Sequence, residues 1–183
     1  MNLIGTKVIT LDRIYLRQFN MNDVDDLFEY ASNKDITKYL TRNPHKNKEE
    51  TRLLLQNQFI KYDNNTFRWA IVFKENNKLI GSIDVVRLDK VNEEAEIGYV
   101  LNSAYHNQGI MSEAFKGVIN YLFNEVNLKE ISACFELGNE ASKHVMEKCG
   151  LKSKNLIKEI VLPLKNNKIT YVSYYSIKKH ETY

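Results

Sequence analysis

The sequence predicts a mixed α/β domain, in which helices flank one β-sheet. Two kinds of segment alternate along the chain: some carry apolar residues at helical spacing, and others carry short strand-like apolar runs. The length of 183 residues corresponds to about one domain, spanning residues 1–183, and no internal repeat or low-complexity segment divides it. A chain of this length can bury one sizeable core.

The first elements are a strand and a helix. The strand is expected at residues 14–18, after a shorter extended piece at 7–11. The helix is indicated because apolar residues recur at i, i+3, i+4 and i+7, which are Val24, Leu27, Phe28 and Ala31. Either Asn22 or Asp23 can cap its first turn.

A second helix and three strands are expected next. The helix should begin near Asn47, because Glu50 follows at the spacing of a capping box, and its buried face should comprise Leu55, Phe59 and Tyr62. The apolar period then changes to that of strands, which are predicted at residues 67–73, 79–87 and 95–101. Because they follow one another directly, we expect an antiparallel meander.

The remaining elements alternate between helix and strand. A long helix is predicted at residues 109–126, where one face carries Met111, Phe115, Val118, Ile119, Leu122 and Val126. A strand at 131–135 and a helix at 141–148 follow, with Gly150 as the expected C-cap. Two strands, at 157–162 and 169–177, complete the sheet.

Composition excludes several functional classes. The net charge of +3, from 26 basic and 23 acidic residues, is too small an excess to indicate a nucleic-acid partner. The longest apolar run, residues 69–73, is far shorter than the ~20 residues of a membrane-spanning helix, and residues 1–20 lack a signal-peptide core. We therefore expect a cytoplasmic protein with neither nucleic acid nor membrane as partner, while the sequence leaves a monomer or a homodimer open.

Neither the cysteines nor the histidines form a metal-binding pattern. Cys134 and Cys149 are too few for a disulfide scaffold and too isolated for a zinc site. The four histidines, His45, His106, His144 and His180, show no metal-ligand spacing, so no metal is expected. Cys134 has no sequence-adjacent base, and a free cysteine is usually a small buried hydrophobe, so we do not expect a nucleophilic cysteine.

The segment with the clearest chemistry is residues 95–115, where a strand leads through a loop with one glycine directly into a helix. The N-terminus of a helix presents free N–H groups and partial positive charge, which suit an anion. Gly109 permits close backbone approach, and Ser112 can add a hydroxyl. This arrangement suits a phosphate or pyrophosphate, but a single glycine also fits a plain strand-to-helix turn.

This loop resembles the acetyl-CoA motif of the GNAT superfamily of N-acetyltransferases, which reads Gln/Arg-x-x-Gly-x-Gly/Ala. Residues 106–111 read His-Asn-Gln-Gly-Ile-Met, so Gly109 matches the motif, whereas His106 and Met111 depart from it. The neighbouring segments EIGY, at 96–99, and SEA, at 112–114, are similar to EIGY and TEA of the RimJ/RimL-like branch, which acetylates ribosomal-protein N-termini. Residues 137–151 resemble a third signature of that branch through Asn139, Ser142, Lys148 and Gly150, with Leu151 in place of Phe.

The resemblance implies where acetyl-CoA would bind. The sheet would be splayed between the strand that ends at Leu101 and the strand at residues 131–135. Pantetheine would lie in this cleft, along the backbone of Tyr99, Val100 and Leu101, and Asn139 would bond to it unless it only caps its helix. The pyrophosphate would sit on the loop and first helical turn, at His106, Asn107, Gln108, Gly109, Ile110, Met111 and Ser112. Lys143 and Lys148 could lie near the CoA phosphates, but we expect them to be solvated helix charges.

The resemblance also implies direct acetyl transfer to a primary amine. Glu96 would take the amine proton, directly or through water, unless it is merely a solvated strand carboxylate. The tyrosine that many members use as an acid corresponds to Met146, which cannot donate a proton. In the RimJ/RimL-like branch a serine fills this role, and Ser142 matches it; its alternative is a first-turn serine that serves only the helix backbone.

The acceptor is less determined than the donor. Neutralising an α-amino group with a pKa near ~8 costs about 1.4 kcal/mol at pH 7, whereas an amine with a pKa near ~10.4 costs about 4.6 kcal/mol. A site without a strong base therefore favours a protein or peptide N-terminus. Four carboxylates, Asp84, Glu93, Glu94 and Glu96, would equally attract a polyamine or an aminoglycoside. A non-catalytic acyl-CoA-binding module on the same fold is a third hypothesis.

Overall fold

Eight strands form one sheet in a computed structural model that describes residues 1–181. The elements in chain order are β1 (Ile9–Thr10), β2 (Ile14–Arg17), α1 (Val24–Ala31), α2 (Lys34–Thr37), α3 (Lys48–Leu54), β3 (Arg68–Phe73), β4 (Lys78–Asp89), β5 (Glu94–Leu101), α4 (Ile110–Asn124), β6 (Glu130–Glu136), α5 (Glu140–Lys148), β7 (Lys152–Leu162) and β8 (Lys168–Lys178). The strand order is β1-β2-β3-β4-β5-β6-β8-β7. Every pair is antiparallel except β5 and β6, so the predicted mixed α/β fold with an antiparallel meander is confirmed.

The buried side chains form two clusters, one on each side of the sheet. The larger cluster lies between the sheet and α4, whose Ala114, Phe115, Val118 and Leu122 are all fully buried. The smaller cluster joins α1 and the turn after α3 to residues of β3 and β4. Tyr99 of β5 packs on Phe115 with ring centroids 5.4 Å apart. This contact holds the second half of β5 against α4, next to the cleft described below.

The sheet is splayed between β5 and β6. These strands pair only over their first halves, from Glu94 opposite Glu130 to Ile97 opposite Ala133. Beyond that point β5 continues against β4, while β6 continues against β8. Because the N–H and C=O groups of a strand alternate in direction, this edge of β5 presents backbone groups without a strand partner after Ile97. The splay expected from the family resemblance is confirmed.

The N-terminal helices differ from the predictions. The first helix is preceded by a 3₁₀ turn at Met21–Asp23, which the side chain of Asn20 caps, and Asp23 stands at the N-cap position of α1 as one of the two predicted candidates, but makes no side-chain cap hydrogen bond there. The reason is that the Asp23 carboxylate accepts from the backbone N–H of Asn20 and also pairs with Arg17. The short helix α2 was not predicted, because four residues are too few to show an apolar period.

The second predicted helix is shorter than its apolar pattern suggested. It begins as expected after Asn47, whose side chain accepts from the N–H of Glu50 at 3.0 Å. The chain then forms a π-helical turn at Leu55–Phe59, and Tyr62 lies beyond the helix. The Tyr62 hydroxyl instead donates to the carbonyl of Arg68, at 3.2 Å, so its burial comes from the start of β3.

The C-terminal elements follow the predictions closely. Cys149 is the C-cap residue of α5, and Gly150, which follows it, adopts φ +88° and donates its N–H to the carbonyl of Glu147, so the predicted glycine ends the helix one position later than a C-cap. The strand β7 begins at Lys152, earlier than predicted. The sequence did not reveal this first part of the strand, because its residues are mostly polar and lie exposed at the edge of the sheet. No apolar pattern marks such a segment.

Candidate active site

A cavity of about 410 Å³ opens at the splay between β5 and β6. Its volume falls within the usual range for small-molecule sites. The walls come from one face of the sheet, from the helical region before β3, from the start of α5 and from β7 and β8. The cavity brings together five of the residues predicted for the site: Glu96, Tyr99, Val100, Asn139 and Ser142.

The loop before α4 contains two residues in the left-handed region of the backbone. Asn107 has φ +58° and Gly109 has φ +75°, and Gly109 directly precedes the helix. The amides of residues 107–112 meet no protein acceptor within residues 1–181. His106 differs, because its N–H donates to the carbonyl of Ser103 and its ring bonds to the carbonyl of Leu101 at 2.9 Å. His106 therefore stabilises the loop through internal hydrogen bonds, and the amides without a protein acceptor begin at Asn107.

The side chains of the first helical turn contribute little to this surface. Ile110 and Met111 are buried in the larger core cluster, and Ser112 is 5% exposed. The departure of Met111 from the family's small residue is accommodated because its side chain packs inward. What the turn offers a ligand is its backbone, which is the part that a helix N-terminus uses for anions.

Two cations lie beside Gly109; the sequence offered one of them, Lys148, only as an alternative neighbour of the CoA phosphates, and did not indicate the other, Arg13. A Cβ atom placed on Gly109 would lie 3.6 Å from Nζ of Lys148 and 3.7 Å from Nη2 of Arg13. Arg13 also donates from Nη1 to the carbonyl of Gln108 and from Nε to the Glu113 carboxylate, both at 2.8 Å. Lys148 was expected to be a solvated helix charge, and Arg13 lies in a turn with no motif to mark it.

The carboxylate of Glu96 lies where the pairing of β5 with β6 ends. Its Oε2 accepts from Nε of Arg87 at 3.3 Å, and its Oε1 accepts from the Cys134 thiol at 3.6 Å. Burial, together with the nearby Glu96 charge, raises the pKa of Cys134 to about 12. Cys134 is therefore a protonated thiol, whereas Glu96 is an acceptor that faces the cavity.

The first turn of α5 is held from two sides. Asn139 caps the helix, since its Oδ1 accepts from the N–H of Ser142 at 3.3 Å. The Tyr99 hydroxyl donates to the carbonyl of Ser142 at 3.0 Å, and burial raises the pKa of Tyr99. The side chain of Ser142 also lies beside the Tyr99 hydroxyl, and this contact opposes the rise in the pKa of Tyr99. Met146, one helical turn further on, is 1% exposed and belongs to the core.

The four acidic residues expected to attract a polycation do not form one cluster. Only Asp84 and Glu96 line the cavity. Glu93 is bound to the N-terminal ammonium at 2.6 Å and to Lys129 at 3.0 Å. Burial raises the pKa of Asp84 to about 6, and the cations Arg68 and Arg42 oppose that rise. The negative charge available to a polyamine is therefore smaller than the sequence suggested.

Residues 1–181 contain neither a metal cluster nor a membrane-spanning helix. No group of three or more histidine, cysteine, aspartate or glutamate side chains in this range is arranged to hold a metal ion. None of the helices described has the length and hydrophobicity needed to cross a membrane.

Comparison with known proteins identifies the family. A model described as "Acetyltransferase (GNAT) domain" matches residues 13–152, so the chain belongs to the GNAT acetyltransferase family. An uncharacterized N-acetyltransferase, p20, from Bacillus licheniformis is 29% identical over 149 residues, which are 81% of this chain and 84% of that protein. A GNAT-family acetyltransferase from Bacillus anthracis superposes with a TM-score of 0.83 at 28% identity, covering 95% of this chain and 99% of that one.

Two further comparisons concern a relative in sequence and a neighbour in fold. A ribosomal-protein-serine acetyltransferase of Escherichia coli (strain K12) is 28% identical over 111 residues, which are 61% of this chain and 62% of that protein. The microcin C7 self-immunity acetyltransferase MccE, solved with acetyl-CoA and AMP, shares the fold with a TM-score of 0.78 at 21% identity, covering 91% of this chain and 93% of that one. Its membership of this family makes the protein, at family level, an N-acetyltransferase that uses acetyl-CoA.

Proposed function

We propose that this protein moves the acetyl group of acetyl-CoA directly to the α-amine of a protein or peptide N-terminus. The observation that carries the proposal is the cavity of about 410 Å³ at the splay, which places Glu96 and Ser142 beside the unpaired edge of β5. In this arrangement pantetheine lies along Tyr99, Val100 and Leu101. The pyrophosphate rests on the free amides of residues 107–112, with Lys148 close by.

The reaction divides among three groups of this chain. The neutral amine attacks the thioester carbonyl carbon, and a backbone N–H of β5 beyond Ile97 stabilises the oxyanion that forms. Glu96 accepts the amine proton, directly or through one water molecule. The carbon–sulfur bond then breaks, and the hydroxyl of Ser142 donates a hydrogen bond to the departing thiolate. CoA leaves with its sulfur protonated by solvent or by the proton released from the amine.

Two considerations favour an α-amine as the acceptor. The first is that an α-amine costs about 3 kcal/mol less to neutralise at pH 7 than a lysine or polyamine amine. The second is the dispersion of the acidic residues, since Glu93 is already paired outside the cavity. Similarity to a ribosomal-protein-serine acetyltransferase agrees with this assignment and with a RimJ/RimL-like branch. A polyamine or an aminoglycoside remains the alternative acceptor.

The proposal also covers the compartment of the protein and its partners. Both cysteines are free thiols, which fits a reducing compartment, so we place the protein in the cytoplasm. A homodimer, and the absence of nucleic-acid and membrane partners, stay predictions of the sequence. A non-catalytic acyl-CoA-binding module would bind CoA through the same amides of residues 107–112, but it would not need an acceptor cavity beside Glu96.

An acceptor screen tests the proposal. Release of CoA thiol from acetyl-CoA is measured with four acceptors: a lysine-free peptide with a free N-terminus, a lysine peptide with a blocked N-terminus, spermidine and an aminoglycoside. We expect turnover with the first peptide and little with the others. Turnover only with spermidine or the aminoglycoside would replace the proposed acceptor. CoA binding without turnover on any amine would indicate a binding module instead.

A further inference from the structure

Three charged side chains line the cavity on the side away from β6. Arg68 of β3 lies directly opposite Asp84 of β4, which in turn lies opposite Gly98 of β5. Directly opposed residues of a sheet share a face, so Arg68 and Asp84 lie on the sheet face that lines the cavity. Arg42, from the segment after α2, lines the same cavity.

The cationic groups here exceed the anions that could neutralise them. Among the carboxylates of residues 1–181, Asp84 alone lies near both arginines, and its Oδ2 is 3.9 Å from Nε of Arg68. Arg42 forms no hydrogen bond or ion pair with any other residue of 1–181, although its guanidinium lies 5.7 Å from the centre of the Phe59 ring. Glu96 and Glu136, the other carboxylates of the lining, are paired with Arg87 and Lys168.

Polar atoms at this end are also left without partners. Nε of Arg68 is buried with no hydrogen-bond partner in the described part of the chain, and the buried hydroxyl of Tyr30 has the Ser82 side chain beside it but no hydrogen bond of normal geometry. Burial lowers the pKa of Arg42 and raises that of Tyr30, so both groups have lost water without a full replacement. Unsatisfied buried donors cost free energy, and a ligand that supplies acceptors recovers it.

We propose that Arg42 and Arg68 bind an acidic side chain of the acceptor, so the preferred substrate is a peptide N-terminus with an acidic residue in its first two positions. This inference rests on the proposed function and names the substrate class of the same site. Guanidinium groups match a carboxylate through paired, charge-assisted hydrogen bonds. The guanidinium carbons of Arg42 and Arg68 lie 5.7 and 4.8 Å from the centre of the Phe59 ring, and these cation–π contacts hold both groups at the same end of the cavity.

The spacing of the strands indicates where the acidic group lies relative to the amine. The amine must reach the unpaired edge of β5, whereas Arg68 stands on β3, two strands away. Two inter-strand spacings amount to about 10 Å between backbones, and the arginine side chains shorten the gap. A free α-amino acid, whose amine and carboxylate are on one carbon, is too short to span it. An acidic side chain on residue 1 or 2 of a peptide has the required reach.

The experiment compares two lysine-free peptides with amidated C-termini, which begin Ser-Glu and Ser-Gln and are otherwise identical. We expect kcat/KM for the Ser-Glu peptide to be about tenfold higher. Arg42→Gln should bring the ratio of the two values close to one, and Arg42→Lys should restore part of it. Asp84→Asn should raise the ratio, because it removes the competing carboxylate. Arg52→Gln, on the exposed side of α3, is the matched control and should leave the ratio unchanged.

The outcomes separate this inference from the proposed function. Equal rates within this pair and also within the corresponding Glu-Ser and Gln-Ser pair, or a preference for the uncharged peptide in both, would overturn the acidic-acceptor inference while leaving N-terminal acetylation in place. A preference for Ser-Glu that survives Arg42→Gln would also overturn it. Acetylation of neither peptide would reject the proposed function, and the inference with it. A repeat with Glu-Ser and Gln-Ser peptides identifies which of the two positions the arginines contact.

Discussion

The guanidinium of Arg13 donates to the carbonyl of Gln108 at 2.8 Å, and so ties the turn between β1 and β2 to the loop before α4. In a trans peptide unit the C=O of one residue and the N–H of the next point in opposite directions. Fixing the carbonyl of Gln108 therefore also fixes the amide of Gly109, which faces away from Arg13. Arg13 acts as a positioning residue for the free amides of the loop.

We predict that Arg13→Gln weakens CoA binding by about five- to tenfold, the loss expected when one or two charge-assisted hydrogen bonds disappear. Calorimetric titration with CoA measures the change. Arg13 is partly exposed, so the variant should stay folded. Arg52→Gln removes a surface arginine far from the loop and should bind CoA as the parent does. Equal affinities of the two variants would contradict a positioning role for Arg13.

Gly109→Val should weaken CoA binding more strongly. A β-branched residue at φ +75° is strained, and its side chain would stand next to Nζ of Lys148, where we place the pyrophosphate. We expect a loss of affinity of at least about a hundredfold, measured by calorimetry on protein whose circular dichroism matches the parent. CoA affinity that stays unchanged would remove this loop as the binding site.

The order of helices and strands along the chain was predictable because the sequence patterns that mark most of them are local. The apolar face of α4, the meander of β3 to β5 and the glycine after α5 each occupy one continuous stretch of sequence. The contact of Arg13 with Gln108 spans 95 positions, and no local pattern links them. Arg42 follows a helix too short to show a period. The free amides of residues 107–112 were therefore predictable from the sequence, whereas the internal hydrogen bond of the His106 amide and the side chains around the loop required the fold.

Asp84→Asn should make the protein more stable, and the gain should grow with pH. The pKa of Asp84 is about 6 in the folded protein, against 3.8 for an ordinary aspartate, because burial disfavours its charge. Between these values the folded chain keeps a proton that the unfolded chain has lost. The stability of the parent therefore falls as the pH rises through this window, whereas an asparagine at this position does not titrate.

The difference in unfolding free energy between Asp84→Asn and the parent should rise from about pH 4 to pH 6 and then level off. Its total change is at most about 3 kcal/mol, which corresponds to the shift in pKa. Urea unfolding at four pH values measures it, with Asp25→Asn on the exposed side of α1 as control. A difference that is flat across this range would mean that Asp84 is ordinarily solvated.

Neither cysteine should be required for catalysis. Burial raises the pKa of Cys134 to about 12 and that of Cys149 to about 11, so neither thiol forms a nucleophilic thiolate near pH 7. The double variant Cys134→Ala, Cys149→Ala should keep its activity within about twofold, with a modest loss of stability from the small cavity at buried Cys149. An acetylated cysteine detected by intact-mass measurement, together with loss of activity in the variant, would establish a covalent mechanism instead.

Ser142→Ala tests how the CoA thiolate leaves. The thiolate is a fair leaving group, since a thiol pKa is near ~8.5 by analogy with cysteine, so a hydrogen bond to sulfur helps without being essential. Met146 cannot supply that bond, and the hydroxyl of Tyr99 already donates to the carbonyl of Ser142. One hydrogen-bond donor to a developing oxyanion typically stabilises the transition state by roughly 3 kcal/mol, and a stable thiolate should gain less. We therefore expect kcat to fall by about ten- to a hundredfold, while the KM for acetyl-CoA moves far less.

Ser142→Thr keeps the hydroxyl and should recover part of the rate. If kcat of Ser142→Ala stays within about twofold of the parent, Ser142 only begins a helix, and water or the acceptor itself protonates the sulfur.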